Sequence, residues 1–545
     1  MLYPKILFWK GRIYNTDALY YQFSLTEPFL NDWEIVQYGY KELKENILNE
    51  LDGEFAFALF DKSKNIYMAA RDPLGIQPLY YAKIENEYYF SSQISDFFAL
   101  DHFVKRPNLR SMQSMLYSRT VAYSDTMFEG IYRLPPGHYM IIKEGKIQIE
   151  RYWYPEKIKI NYRITEEEAA KKIHELLSKA IKSRVSDLEE TAFEVSGGLD
   201  SSSIVSILAK STVHSKIDTY SMDFEGLECD ESEYVESILE KYSLHHQKIP
   251  TSKLDYKSDY ALSHLYTISP HWPVMLTFAM SLPMLEKMKK DGKKIVITGQ
   301  GGDHLFTGSP YVIYDLFRRF KWMTLYRELR HFPKPYRILK SYLLKPLLGK
   351  QILSIMKKLY RKKNEDPFLS ENDWIKDLSQ RVGITNPIHK NDLDVLTSAF
   401  YSTLMDGNLF HCAEEHFGIE FRHPYFDFEL VEFVLSLPPE MKYKQKTIKW
   451  IFRKAMAGIL PDKINSRTDK AEFSEVIRQQ IESIDIDILL KDPYIVKLGF
   501  IDQSLIDRYK KEYEDETLRY ISILWGIINI EYWYRYNFVK DSLSD

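Results

Sequence analysis

Residues 194–205 read EVSGGLDSSSIV, with two glycines, an aspartate and a run of serines set between apolar residues. The glycines permit positive φ and close approach of backbone to a ligand. The serine hydroxyls, with the N–H groups that open the following helix, point at an anion. Asp200 would repel a phosphate unless a divalent cation stood between them, so Ser196, Gly197, Gly198, Ser201 and Ser202 together with Asp200 suit a pyrophosphate that travels with its metal. The plainer alternative is a Gly/Ser turn in which Ser201 only caps a helix. The flanking pattern weighs against it: TAFEV reads as a buried strand and SSIVSILAK as a helix, the strand–turn–helix frame of a phosphate loop.

The surrounding elements extend that frame. After the amphipathic stretch TEEEAAKKIHELLSKAIKSRV, short apolar runs alternate with helical ones: TAFEVS, then IDTYSMDF before ESEYVESILEKY, then KKIVITG. Buried strands interleaved with helices predict a parallel sheet covered on both faces, with the turn at its carboxyl edge. Before residue 160 the pattern is short strands and turns instead, as in EFAFALFDKSKNIYMAAR and GHYMIIKEGKIQIERYWY, which predicts an antiparallel β domain. From about residue 311 the chain reads as mostly helical, with no internal repeat and no low-complexity linker.

Composition limits the function. A chain of 545 residues with 45% hydrophobic and 28% charged residues holds two or more domains, and its net charge of −4 gives no overall attraction to nucleic acid or anionic membrane. No apolar run approaches the ~20 residues of a membrane span, and the charged start MLYPKILFWKGR does not read as a signal peptide. Cys229 and Cys412 lack disulfide or metal-ligand spacing, which suits a reducing, cytoplasmic setting. His245 and His246 read as a surface pair, since no third ligand is evident at useful spacing.

SGGLDSS resembles the pyrophosphate loop of the ATP-pyrophosphatase superfamily, whose members split ATP between the α- and β-phosphates. ITGQGGDHLFTG resembles the asparagine synthetase motif ending Gly-Ala/Ser-Asp-Glu-Leu-Phe-Gly-Gly, and EFRHPYFDFELVEFVLSLPPEMK resembles that family's Glu-Ala-Arg-Val-Pro-Phe-Leu-Asp segment. IKWIFRKAMAGILPDKINSRTDKAEF is similar to the stretch carrying the family's pyrophosphate-contacting lysine, while DGEFAFALFD and RDPLGIQPLYY resemble its glutaminase domain. The resemblance to the asparagine synthetase family implies an α/β protein. Residues 1–160 would form a degenerate class II glutaminase-like domain of the Ntn-hydrolase (αββα) type, and 161–545 an ATP-pyrophosphatase domain with an insert at about 309–400. It also implies ATP and Mg²⁺. Asp200 and Asp303 would hold the metal, Lys470 would act as the catalytic cation, and Ser221 and Met222 with Gly299 and Gly301 would lie at the nucleotide. Gln300, Glu420 and Arg422 would shape the acceptor pocket, although Glu420 and Arg422 could equally pair with one another.

Departures from the family pattern bear on the nitrogen source. Where glutamine-dependent members carry a cysteine after the initiator methionine there is Leu2, and the Asn-Gly-Glu-Ile-Tyr-Asn motif reads KGRIYN, with Lys10 and Arg12 at two glutamine-binding positions. Only Asp32 of that pocket remains, and the chain starts as though the domain's first strand were missing. Without a thiolate no acyl-enzyme forms, so glutaminase chemistry is expected to be absent. Relatives lacking the cysteine include β-lactam synthetases and the macrolactam cyclases of lasso peptides. The latter resemblance implies a precursor peptide as substrate and a leader peptidase and leader-recognition protein as partners. The Tyr–Glu base pair of β-lactam synthetases is not reproduced, because Gln300 occupies one aligned position. Asp406 at the other is a candidate base or a helix cap. Residues 315–363 are rich in Lys and Arg, with only Asp315 and Glu328 opposing them. They read either as a solvated helix face or as a dock for an acidic peptide.

Overall fold

The computed structural model describes residues 4–24, 31–118, 124–211, 216–252, 254–257, 259–274, 278–344, 347, 407–513 and 518–539. The chain divides into two compact units. One comprises residues 1–112, 121–158 and 426–432, and the other comprises 113–120, 159–425 and 433–545.

The sheets of the first unit are antiparallel throughout, as its alternating sequence predicts. Strands β1 (Lys5–Ile13), β2 (Gly53–Asp61), β3 (Ile66–Arg71), β7 (His138–Lys143) and β8 (Lys146–Arg151) form a five-stranded sheet in the order β1-β2-β3-β7-β8. Strands β4 (Tyr80–Ile84), β5 (Glu87–Ser91) and β6 (Ile131–Arg133) form a second sheet in the order β5-β4-β6. The period of two along β2 sets two different faces. Phe55, Phe57 and Leu59 pack with Ile35, Val36 and Tyr40 of helix α1 (Asp32–Leu43), while the small Ala56 and Ala58 face Leu79, Tyr81 and Leu134. Large residues thus meet a helix, and small ones let the second sheet approach. In RDPLG, the buried Asp72 accepts the backbone N–H groups of Leu74, Ile76 and Gln77, each at 3.0 Å. Arg71 donates to the carbonyls of Gly75, Gln77 and Leu134, so this charged pair shapes a turn.

The second unit carries the parallel sheet. Strands β9 (Thr191–Glu194), β10 (Asp218–Asp223), β11 (His245–Pro250), β12 (Ile295–Ile297) and β13 (Glu420–Arg422) lie in the order β11-β10-β9-β12-β13, and every neighbouring pair is parallel. Helix α2 (Glu166–Arg184) begins at a capping box between Thr165 and Glu168. Helix α3 (Leu199–Ser211) follows β9, and α4 (Ser232–Lys241) follows β10. The strand order reverses at β9, the central position at which a doubly wound sheet opens a crevice for ligand. No described helix is long and apolar enough to cross a membrane.

Candidate active site

At the carboxyl ends of β9, β10 and β12 lies a cavity of about 540 Å³. Ser196, Gly198, Asp200 and Ser201 line it from the turn, Ser221 and Met222 from β10, and Gly299, Gln300 and Asp303 from the loop after β12. The loop after β9 is closed by its own serines. Ser201 Oγ accepts the Ser196 N–H at 3.1 Å and meets Ser196 Oγ at 3.0 Å. Gly299 must be glycine, since a Cβ there would come within 2.7 Å of the Ser201 nitrogen. At Gly302 a Cβ would stand 2.4 Å from Asp200 Cγ. Two sequence motifs about a hundred residues apart therefore interlock through missing side chains.

Gly197, Ser202 and Gly301 are not among the residues that line the cavity. Gly197 and Gly301 carry the positive φ of the two turns, and Ser202 lies fully buried on the inner face of α3. Glu420 and Arg422 do not line the cavity either. Register places Glu420 opposite Ile295 and Arg422 opposite Ile297, and Arg422 pairs bidentately with Glu420 at 2.8 Å and donates to the Arg184 carbonyl. Of the two readings open for this pair, mutual pairing is the one the geometry contains. Asp406 and Leu2 lie outside the described residues, as does most of the insert beyond Leu344.

The charged centre contains a residue that sequence reasoning missed. Lys449 Nζ lies 2.8 and 2.6 Å from the two carboxylate oxygens of Asp200 and 2.7 Å from Asp303 Oδ1. Lys470 pairs with the other oxygen of Asp303. Burial holds the Asp200 carboxyl above its ordinary range against the pull of Lys449. For Asp303 burial is outweighed by Lys449 and Lys470, which hold it down at about 2. Lys449 adopts φ of +56°, an uncommon conformation for a residue with a side chain, and it caps helix α5 (Trp450–Ala455). The position between Asp200 and Asp303 thus accepts a cation, with a lysine ammonium standing in it. Among the described residues no group of three or more His, Cys, Asp or Glu could enclose a metal by itself. Two carboxylates fit Mg²⁺, which characteristically takes its remaining ligands from phosphates and water.

The flanking contacts brace this centre. Tyr425 of the EFRHPYFD stretch donates its hydroxyl to the Asp200 carbonyl at 2.9 Å. Arg467 stacks on Tyr234 at 4.0 Å and pairs with Glu231 beside the Gly197 turn. Phe473 meets Phe224 edge-on at 5.3 Å, giving the β10 end of the cavity an apolar wall. Thr298 Oγ1 accepts the Gln300 N–H at 3.2 Å and meets His423 Nδ1 at 2.7 Å. Burial pushes that imidazole down to about 3, leaving it neutral. The recessed Glu194 lines the cavity, and burial pushes its carboxyl up to about 7. His245 and His246 are not a surface pair. Strand alternation turns His245 outward to Asp218 and His246 inward, between Thr219 and Ser221.

The asparagine synthase family model matches residues 172–535, which include all of the cavity lining. The chain belongs to the asparagine synthase family. A glutamine amidotransferase domain model matches residues 4–153, the antiparallel unit. Asparagine synthetase 3 (glutamine-hydrolyzing) of Bacillus subtilis (strain 168) is 27% identical over 516 residues, spanning 88% of this chain and 78% of the relative. Asparagine synthetase 1 (glutamine-hydrolyzing) of the same organism is 24% identical, over 96% of this chain and 83% of the relative. Amidase chyE of Penicillium rubens is 26% identical, over 85% of this chain and 75% of the relative. The chemistry of the asparagine synthase family is ATP-dependent amide formation.

Proposed function

We propose that this protein activates a carboxylate with ATP and passes the acyl group to an amine without hydrolysing glutamine. The observation that carries the activation step is the Asp200–Lys449–Asp303–Lys470 cluster beside the 196–201 loop. The substrate carboxylate oxygen attacks the α-phosphorus, the α–β phosphoanhydride breaks, and pyrophosphate leaves. The amine nitrogen then bonds to the acyl carbon, loses a proton, and AMP departs. The loop N–H groups and the Ser196 and Ser201 hydroxyls bind the departing phosphates, and Lys449 and Lys470 hold positive charge where negative charge accumulates, each worth about 3 kcal/mol by analogy with oxyanion donors. Asp200 and Asp303 would hold Mg²⁺, which supplies neutralisation of the leaving pyrophosphate when bound.

The acceptor reading is ring closure of a lasso-type precursor peptide. An Asp or Glu side chain would be the acyl donor and the peptide's own N-terminal amine the nucleophile. Two observations favour it: Lys10 and Arg12 stand where glutamine recognition is expected, and the surface near the cavity unit's insert is basic and aromatic. Phe320, Trp322, Met323 and Tyr326 are at least half exposed there, beside the exposed Arg318, Arg327 and Arg330. The second reading, amidation of aspartate or another small carboxylate by ammonia, is favoured by the names of the asparagine synthetase relatives. ATP–pyrophosphate exchange with aspartate or with an acidic-residue precursor peptide separates the two. Supplying glutamine or ammonium as the nitrogen source tests the glutaminase expectation, and glutamate release above a heat-killed control would refute it.

A further inference from the structure

Thr219 and Ser221 project from the same face of β10, and Thr219 is in register with His246 of β11. Thr219 Oγ1 lies 3.0 Å from His246 Nδ1 and 3.4 Å from the His245 carbonyl oxygen, and Ser221 Oγ lies 3.1 Å from His246 Nε2. Burial, with help from Lys248 and His245, pushes this imidazole down to about 4, so at neutral pH one ring nitrogen donates and the other accepts. Only one proton arrangement makes all three contacts. The Thr219 hydroxyl donates to the His245 carbonyl, Nδ1–H donates to Thr219 Oγ1, and the Ser221 hydroxyl donates to Nε2. Placing the proton on Nε2 instead spends the Thr219 hydroxyl on Nδ1 and leaves the carbonyl contact unmade. Unmade contacts at a buried polar group are costly, so the first arrangement is favoured.

That arrangement has a consequence at the cavity, which Ser221 lines. With its proton committed to His246, Ser221 Oγ can offer only lone pairs to a ligand. Met222, Phe224 and Phe473 beside it supply the apolar walls that suit a flat heteroaromatic ring. We propose that His246 is a positioning residue that fixes Ser221 as a hydrogen-bond acceptor, and that this acceptor selects the 6-amino group of adenine against 6-oxo purines. The proposal rests on the nucleotide reading of the cavity and adds to it a side-chain determinant of base choice. An amino group meets the Ser221 lone pair as a donor, whereas a 6-oxo group faces it as a second acceptor, a difference of about tenfold or more in affinity.

The test is equilibrium titration of the full-length protein with ATP and with inosine triphosphate, in Mg²⁺ and without acyl substrate. The wild type should prefer ATP by about tenfold or more. His246→Leu should bring the two affinities together chiefly by weakening ATP. His246→Gln, whose side-chain oxygen can accept the Ser221 proton, should restore the preference, a rescue that a packing role would not predict. Should the leucine variant fail to fold, ¹⁵N-histidine spectra of the wild type decide the matter: His246 must be neutral with its proton on Nδ1. A proton on Nε2, equal wild-type affinities, or an unchanged ATP preference in a folded His246→Leu would each overturn the proposal alone. Failure of the wild type to bind either nucleotide would overturn the nucleotide reading and this proposal with it.

Discussion

Replacing Lys449 by methionine tests whether the Asp200–Asp303 gap is a cation site. The Lys449 side chain is 5% exposed, against 16% for Asp200 and 37% for Asp303, so the Asp200 contact is nearly dry and the Asp303 contact partly screened. At an effective dielectric near 20, unit charges about 2.7 Å apart attract by roughly 6 kcal/mol before the ammonium's lost hydration is subtracted. Removing one member of a buried pair costs about 3–5 kcal/mol, because the other charge is stranded. Lys470 still pairs with Asp303 after the substitution, but at 72% exposure it is a weak replacement. We therefore expect Lys449→Met to lose about 3 kcal/mol at neutral pH, lowering the melting temperature by several degrees. Millimolar Mg²⁺ should stabilise the variant more than the wild type, since in the wild type a divalent cation must first displace an ammonium. Scanning calorimetry with and without Mg²⁺ reads both effects. If the variant melts with the wild type, or Mg²⁺ shifts the two equally, the carboxylates do not form a site for which lysine and metal compete.

Asp200→Asn and Asp303→Asn should each abolish pyrophosphate release by several powers of ten while the protein remains folded, and retention of more than about a tenth of wild-type turnover would end the metal role of that residue. Because burial holds the Glu194 proton on up to about 7, ATP affinity should fall as pH rises through that value and a negative charge enters the cavity. Glu194→Gln should flatten the profile, measured as ATP Kd against pH, and an unchanged profile would exclude Glu194 as its source. At the insert, Arg318, Arg327 and Arg330 are exposed, whereas Arg319 pairs with Glu440 and stacks on Tyr162 at 3.6 Å. Reversing the first three to Glu should raise the KM for an acidic peptide substrate and flatten its salt dependence, while ATP binding stays unchanged. A KM indifferent to both charge and salt would return the segment to a solvated face.

The phosphate loop and the parallel sheet were legible because they rest on local signals: apolar period, glycine at turns, and serine with aspartate at a helix start. Lys449 was not, because it lies among the lysines of KYKQKTIKWIFRK and nothing in its spacing separates it from its neighbours. Only the fold brings it between two aspartates that are themselves a hundred residues apart. Glu420 and Arg422 left two readings open for the opposite reason. They precede Tyr425, the residue of that motif which reaches the Asp200 carbonyl, and register places them on the strand itself, away from the cavity lining. His246 was hidden by its neighbour, since a His-His pair reads as surface until the strand turns alternate residues to opposite faces. Residues 426–432 cluster with the antiparallel unit although their neighbours on both sides belong to the parallel one, a non-local exchange that no window of sequence contains.

The matches and the departures divide by chemical task. The serines and glycines of 196–201, Asp200, Asp303 and Lys470 keep the residue types of the family motifs they resemble. The departures from those motifs include Leu2, Lys10, Arg12 and His304. Lys10 and Arg12 flank Gly11, whose φ of +114° and position against the Glu54 carbonyl, 1.9 Å from any added Cβ, require glycine there. Gln300 lines the cavity where a base is absent, and His304 follows Asp303 where the motif has Glu. A chain that had lost selection for catalysis would be expected to lose the buried charges first, because two carboxylates and a lysine in a shielded cluster are costly to keep. Here the costly cluster is intact, while Lys10, Arg12 and His304 depart from the motifs they resemble. That pattern supports the proposed reading, an enzyme that makes acyl adenylates and does not draw its amine from glutamine.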